Sequence, residues 1–154
     1  MRSANWILAA ALLIGGVSFA RQESETDLLK AIMDQHLNAI NTAQSEAIAR
    51  HHLPGHSEFG VTGDKLGISG TYEEQFVRNE GIFAGGFTFD WHNKDLRVQL
   101  FDNTALVTGY VVGITTAPDG TVSEINNRRT TVLVKVDGMW KEIHVHNSKL
   151  TETE

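Results

Sequence analysis

The sequence has no cysteine. That excludes a disulfide framework, a thiol nucleophile, a thiolate metal site and a lipid-modified cysteine. Basic residues are in the minority, 13 Lys and Arg against 19 Asp and Glu, for a net charge of −6. A nucleic-acid partner needs a basic face to displace counterions, so none is expected. There is no Asn-x-Ser/Thr acceptor, P-loop, dinucleotide fingerprint, zinc-protease helix or serine nucleophile elbow, which removes several enzyme classes and leaves no cofactor to expect. Long apolar runs are equally scarce. The only one, Trp6 to Ile14, falls short of the ~20 residues that span a bilayer comfortably.

That run sits after Arg2 and before Ser18-Phe19-Ala20, which places small residues where a signal peptidase reads them. Residues 1–20 are read as a cleaved secretory signal, with an uncleaved anchor as the other reading. The protein is then secreted, periplasmic if bacterial, without membrane contact after cleavage. Losing Arg2 with the signal takes the net charge from −6 to −7. Residues 21–26 read as a flexible start, 27–150 as one domain and 151–154 as a tail. A 154-residue chain that is 41% hydrophobic and 21% charged suits a single domain with a real core.

Thr26 or Asp27 can cap a first helix whose stripe is Leu28, Leu29, Ile32, Met33, His36, Leu37 and Ile40. His36 lies on that stripe, where a hydrogen-bonded core role is the first expectation. A short helix from Ser45 to Arg50 is expected to stop at Leu53-Pro54-Gly55. His56 to Val61 reads as a short strand, followed by a loop with Gly63, Gly67 and Gly70 and a helix from about Thr71 to Phe83. Then come four strands, Phe87–Phe101, Ala105–Thr116, Thr121–Val136 and Met139–Leu150, with turns at Asp102-Asn103, Pro118-Asp119-Gly120 and Asp137-Gly138. Helices followed by an antiparallel meander give an α+β fold. Leu106, Tyr110, Val112 and Ile114 alternate with Val107 and Val111, so both sheet faces carry apolar residues and both need cover. The helices suffice for one face, and a second subunit is expected on the other.

The last strand, read with unbroken alternation, places Trp140, Glu142, His144, His146 and Ser148 on one face. His144 and His146 are candidates for acid, base or hydrogen-bonding roles. As metal ligands they would need help from His92, Asp90, Glu58 or His56, and no spacing demands a metal. Of the adjacent Arg128 and Arg129, one must face the cavity side, where it suits an anionic group or pairs with Glu124 or Glu142. Trp140 is expected to anchor a core or interface through a partnered indole N–H.

The element order, with the ending R-x-T-x-V-L-V-K-x-D-G-x-W-K-x-x-H-x-H-x-S over Arg128 to Ser148, resembles the SnoaL-like branch of the nuclear transport factor 2-like (cystatin-like) superfamily. The ending is also similar to the association domain of calcium/calmodulin-dependent protein kinase II. The resemblance implies a cone: N-terminal helices packed on a curved antiparallel sheet around a cavity. It matches Arg129, Thr130, Trp140, His144, His146 and Ser148. A shared fold does not choose among isomerases, cyclases, dehydratases, ligand binders and oligomerisation hubs. The leading expectation is a dimeric small-molecule binder using Arg129, Thr130, Tyr110, Trp91, Trp140 and Ser148. A cofactor-free isomerase, cyclase or dehydratase is the alternative, with its acid–base groups among His144, His146, Glu58 and Asp90. An oligomerisation module is the third.

Overall fold

The computed structural model describes residues 24–60 and 66–150. The expected signal peptide and the tail at 151–154 lie outside the described residues. Helix α1 occupies 24–41 and α2 Ser45–His51, followed by strand β1 His52–Phe59, strand β2 Leu66–Ile68 and helix α3 Tyr72–Ala84. The meander follows as β3 Thr88–Phe101, β4 Thr104–Thr116, β5 Val122–Val136 and β6 Met139–Lys149. All six strands form one sheet in the order β2-β1-β6-β5-β4-β3. Every neighbouring pair is antiparallel except β1 and β6, which run parallel, so the sheet is mixed.

The α+β architecture and the meander are as the sequence implies, but residues 66–68, expected in a loop, form β2 against β1, and three further local differences appear. Residues 24–26 are already helical, so neither Thr26 nor Asp27 starts α1. Leu53-Pro54-Gly55 does not end α2; the helix runs directly into β1, and Pro54 and Gly55 lie exposed within that strand, where its register against β6 shifts between His52 and Ser57. A proline is tolerated at such an irregularity because no ladder donor is required of it. Finally, β6 contains a bulge. Val132 pairs with His144 but Leu133 pairs with Glu142, leaving Ile143 as an extra residue. An extra residue reverses side-chain parity beyond it. Trp140 and Glu142 therefore share the inner face with Val145 and Asn147, whereas His144, His146 and Ser148 point outward.

The core lies between α1 and the inner face of the meander. Leu29 and Met33 pack with Ala105, Val107, Leu133 and Trp140, and Ile32, Leu96, Val98 and Leu100 surround them. Beyond this cluster α1 continues over the sheet to Asn41. There the Asn41 amide donates to the Trp91 carbonyl and its oxygen accepts from Trp91 N–H, both at 2.9 Å, which fastens the helix end to β3. Helix α3 is set by a capping box: Thr71 Oγ1 accepts from Glu74 N–H at 3.3 Å and Glu74 Oε2 accepts from Thr71 N–H at 2.7 Å. Its buried side chains are polar, Gln75 and Asn79, so this helix brings hydrogen-bonding groups to the interior rather than bulk.

Gly113 marks the tightest approach in the sheet. Its φ is +141°, and a Cβ there would lie 1.9 Å from the Asp90 carbonyl oxygen of β3. Gly113→Ala is expected to lose about 2 kcal/mol or more of stability, since both backbone strain and a backbone clash oppose it. Urea unfolding of the variant checks this, and an unchanged midpoint would count against the β3–β4 packing described.

Candidate functional site

The cone is closed at one end by polar side chains and opened at the other by apolar ones. It encloses about 290 Å³, bounded by α1, α2, α3 and the inner face of the sheet. Ile40, Ile48, Ile82, Phe83, Phe89, Trp91 and Val145 supply apolar walls. His36, His52, Asn79, Arg129, Glu142 and Asn147 supply the polar groups, and Glu58 and Arg78, 3.9 Å apart and partly exposed, stand at the rim.

The centre of the polar end is Glu142, whose side chain is completely buried. The β6 bulge aims it inward, and Arg129 on β5 reaches it from four pairs along the ladder, Nη2 donating to Oε2 at 3.1 Å. Arg129 also donates from Nε to Thr131 Oγ1 at 3.1 Å, which fixes the plane of the guanidinium. The direct passage from α2 into β1 places two consecutive histidines at the same carboxylate. His51 Nε2 lies 3.5 Å from Oε2 and His52 Nε2 lies 3.5 Å from Oε1. At that length His51 Nε2 and Glu142 Oε1 are buried without a hydrogen bond. His36 from α1 stacks on His51 with centroids 4.0 Å apart, and His56 stacks on His52 at 4.1 Å.

Burial sets the charge states. It pushes the His36 imidazole well below its ordinary value of 6.5, helped by the nearby His51, His52 and Arg129. It takes His52 down to about 3, although the Glu142 charge pulls the other way, and it lowers His56 as well. For Glu142, burial disfavours ionisation, but Arg129 and the adjacent His52 and His51 outweigh it and hold the carboxyl at about 2. At neutral pH the site holds an ionised Glu142–Arg129 pair beside the neutral imidazoles of His36, His52 and His56.

The residues singled out from sequence divide between two faces. Arg129, Trp91 and Glu58 open on the cavity. Trp140 is on the same face but inside the core, its Nε1 donating to Glu25 Oε1 at 2.7 Å. His144 and His146 are turned outward by the bulge, with His144 Nδ1 2.8 Å from Ser57 Oγ and both rings against Phe59. Ser148 lies beside them. Asp90 is also on the outer face, 2.8 Å from His92 and largely exposed. Tyr110 and Thr130 line a second, outer groove of about 700 Å³ with Arg97 and Arg128, on the β3–β5 side of the sheet, and among the described residues no helix lines it. Thus Asp90, His144, His146, Tyr110, Thr130 and Ser148 do not converge with Arg129 at the cavity. The groups that do converge include His51, His52, Gln75, Asn79 and Glu142. Their signal in the sequence is the crowding of four of the seven histidines into residues 36–56.

The lowered histidines imply acid sensitivity. Below pH 6.5 the unfolded chain takes up protons that the buried imidazoles refuse, so stability falls as pH drops from 6.5 towards about 3. Each such histidine adds a slope of about 1.4 kcal/mol per pH unit. Glu142 adds a further loss as pH falls from 4.5 towards about 2. Thermal melting in the presence of a chelator is expected to show Tm falling steadily from pH 6.5 to 4.5. A flat Tm over that range would contradict buried neutral imidazoles.

Residues 29–152 match the SnoaL-like domain family. No curated protein is significantly similar to the chain. Among solved structures, a ketosteroid isomerase-like protein from Erwinia carotovora atroseptica is 21% identical with a TM-score of 0.66, covering 83% of this chain and 98% of its own. A nuclear transport factor 2-like protein from Cytophaga hutchinsonii is 15% identical with a TM-score of 0.67, covering 80% and 97%. The calcium/calmodulin-dependent protein kinase II hub of S. rosetta is 22% identical with a TM-score of 0.65, covering 81% and 96%. These likenesses identify the nuclear transport factor 2-like, cystatin-like cone, and the match over 29–152 makes this chain a member of the SnoaL-like domain family.

Proposed function

We propose that the protein is an exported homodimer that takes a small organic molecule into its cone. The observation that carries the binding reading is one cavity that joins an apolar wall to buried, unsatisfied polar groups, with the Glu58–Arg78 pair at its rim. Ile82, Phe83, Phe89 and Trp91 offer a flat or aromatic body a wall, while Asn79 Nδ2 and His36 Nδ1 are buried without hydrogen-bond partners. Buried polar groups cost stability unless satisfied, and a bound polar group can satisfy them. Binding takes precedence over acid–base chemistry because Asp90, His144 and His146 do not face this cavity; of the acid–base groups named from sequence, Glu58 alone reaches it, at the rim and beside Arg78. Isomerase chemistry, suggested by the ketosteroid isomerase-like neighbour, would start from that carboxylate or from His36, His52 or Glu142 deeper in the cavity.

The outer face supports the dimer. Among the described residues no helix packs on it, yet it presents Leu106, Val112, Ile114, Val122, Val132 and Val134, with Ile114 and Val122 exposed. One neighbouring cone is named a hub and two others are named association domains. Export rests on the Arg2, apolar-run and Ser18-Phe19-Ala20 pattern alone.

Native mass spectrometry of protein purified from its own host is expected to find a retained organic mass that Ile82→Arg, at the mouth, abolishes. Failure to retain any such mass, together with no change in Trp91 fluorescence against a panel of aromatic carboxylates and amides, would sink the binding reading. Separately, light scattering is expected to give twice the chain mass for the mature protein and the chain mass for Val112→Asp. A wild-type monomer at micromolar concentration would remove the dimer.

A further inference from the structure

The closed end of the cone gathers lone pairs without protons to match them. His52 Nδ1 lies 3.1 Å from Gln75 Oε1. The Gln75 amide is oriented by its own donation from Nε2 to the Gly70 carbonyl at 3.3 Å, so its oxygen is what meets the ring. Nδ1 of neutral His52 therefore carries the proton, and Nε2 is a bare lone pair facing Glu142 Oε1 at 3.5 Å. Oε1 is itself a buried acceptor without a hydrogen bond. His56 repeats the pattern. Ser69 Oγ donates to the His56 carbonyl at 3.1 Å, so it receives the ring's Nδ1–H and leaves Nε2 unprotonated. His52, His56 and Glu142 each present a ligating atom, and these three atoms lie within 4.8 Å of one another.

We propose that His52 Nε2, His56 Nε2 and Glu142 Oε1 bind one divalent first-row transition-metal ion, such as Zn(II) or Fe(II), at the closed end of the cavity. Two imidazoles and one carboxylate suit such ions rather than Mg(II) or Ca(II), which favour oxygen alone. Each ligand has an outer partner of the kind metal sites use, Gln75 for His52, Ser69 for His56 and Arg129 on the other oxygen of Glu142, and the stacked His52 and His56 rings turn apart to aim both lone pairs at one ion. A second trio, His36, His51 and His52, also brings its atoms within 4.8 Å. It shares His52 but lacks an anionic ligand, and His36 Nδ1 has no outer partner, so the set with Glu142 is preferred. His52 and Glu142 also line the cavity, which turns any remaining coordination positions towards it. The site goes beyond the binding reading and does not require the organic molecule.

The test is a titration of chelator-stripped mature protein with Co(II), followed by visible absorption, with Zn(II) as competitor and thermal melting alongside. Wild type is expected to bind one ion per chain, to develop ligand-field bands and to melt at higher temperature with metal. Gln75→Leu, which keeps every ligand, is expected to weaken binding roughly 10- to 100-fold. His56→Gln is expected to abolish the bands, and the exposed-face double variant His144→Ala/His146→Ala to leave them unchanged. A wild-type protein that shows neither bands nor a melting shift at millimolar Co(II) would overturn the site and indicate that water satisfies these lone pairs. Bands that survive His56→Gln but vanish in the His144→Ala/His146→Ala variant would overturn it too. Organic-molecule binding measured on the stripped protein separates failure of this site from failure of the binding reading.

Discussion

The buried pair of Glu142 and Arg129 is the interaction around which the polar end of the cone is organised. Removing one partner from such a pair commonly costs 3–5 kcal/mol, roughly, because the other charge is left unpaired in a low-dielectric interior. The pair also orders its neighbours. Arg129 occupies one carboxylate oxygen and leaves the other to face His52, while Thr131 holds the guanidinium in place. Two backbone features deliver it: the extra residue Ile143 in β6, which turns Glu142 inward on the same face as Val145, and the helix-to-strand junction at His51 and His52, which brings two imidazoles to one carboxylate.

Neutral imidazoles around an ionised carboxylate give this cavity an unusual balance. Its two carboxylates, Glu142 inside and Glu58 at the rim, each stand beside a guanidinium, Arg129 and Arg78, so no unmatched carboxylate drives capture of an ion by attraction alone. What remains is a surplus of acceptors over donors near Glu142 and unpaired groups at His36 and Asn79 nearer the cavity. The first favours a cation or water and the second a polar part of a ligand. The two demands are met at different atoms, which is why the metal and the organic molecule can be tested apart.

The fold was legible because its signals are local. The Asp137-Gly138 turn, with positive φ at both residues, and the alternation of Val107, Val111 and Leu133 with Leu106, Val112 and Val132 fix strands and faces without knowledge of distant contacts. The site was not, because a bulge has no local signature of comparable strength. Reading β6 with unbroken alternation puts His144 and His146 beside Glu142; one unpaired residue separates them onto opposite faces. The same holds at Pro54-Gly55. That dipeptide reads as a helix stop, yet the chain has already entered β1, and His52 and His56 serve the same site across the shift.

This reversal also reassigns the D-G-x-W-x-x-x-H-x-H-x-S ending. Asp137-Gly138 makes the turn and Trp140 closes the core over Glu25, but the two histidines and Ser148 belong to the outer face with Thr130, Arg128 and Tyr110. Polar residues that alternate on an outer face next to apolar Leu106, Val112 and Val132 make a surface that is neither fully wet nor fully dry. Such a surface fits a self-complementary contact better than a catalytic centre, since a twofold partner can meet histidine and arginine with hydrogen bonds while covering the valines. The chemistry of the interior then rests on His36, His52, His56 and Gln75 from outside that ending, and on Glu142 within it.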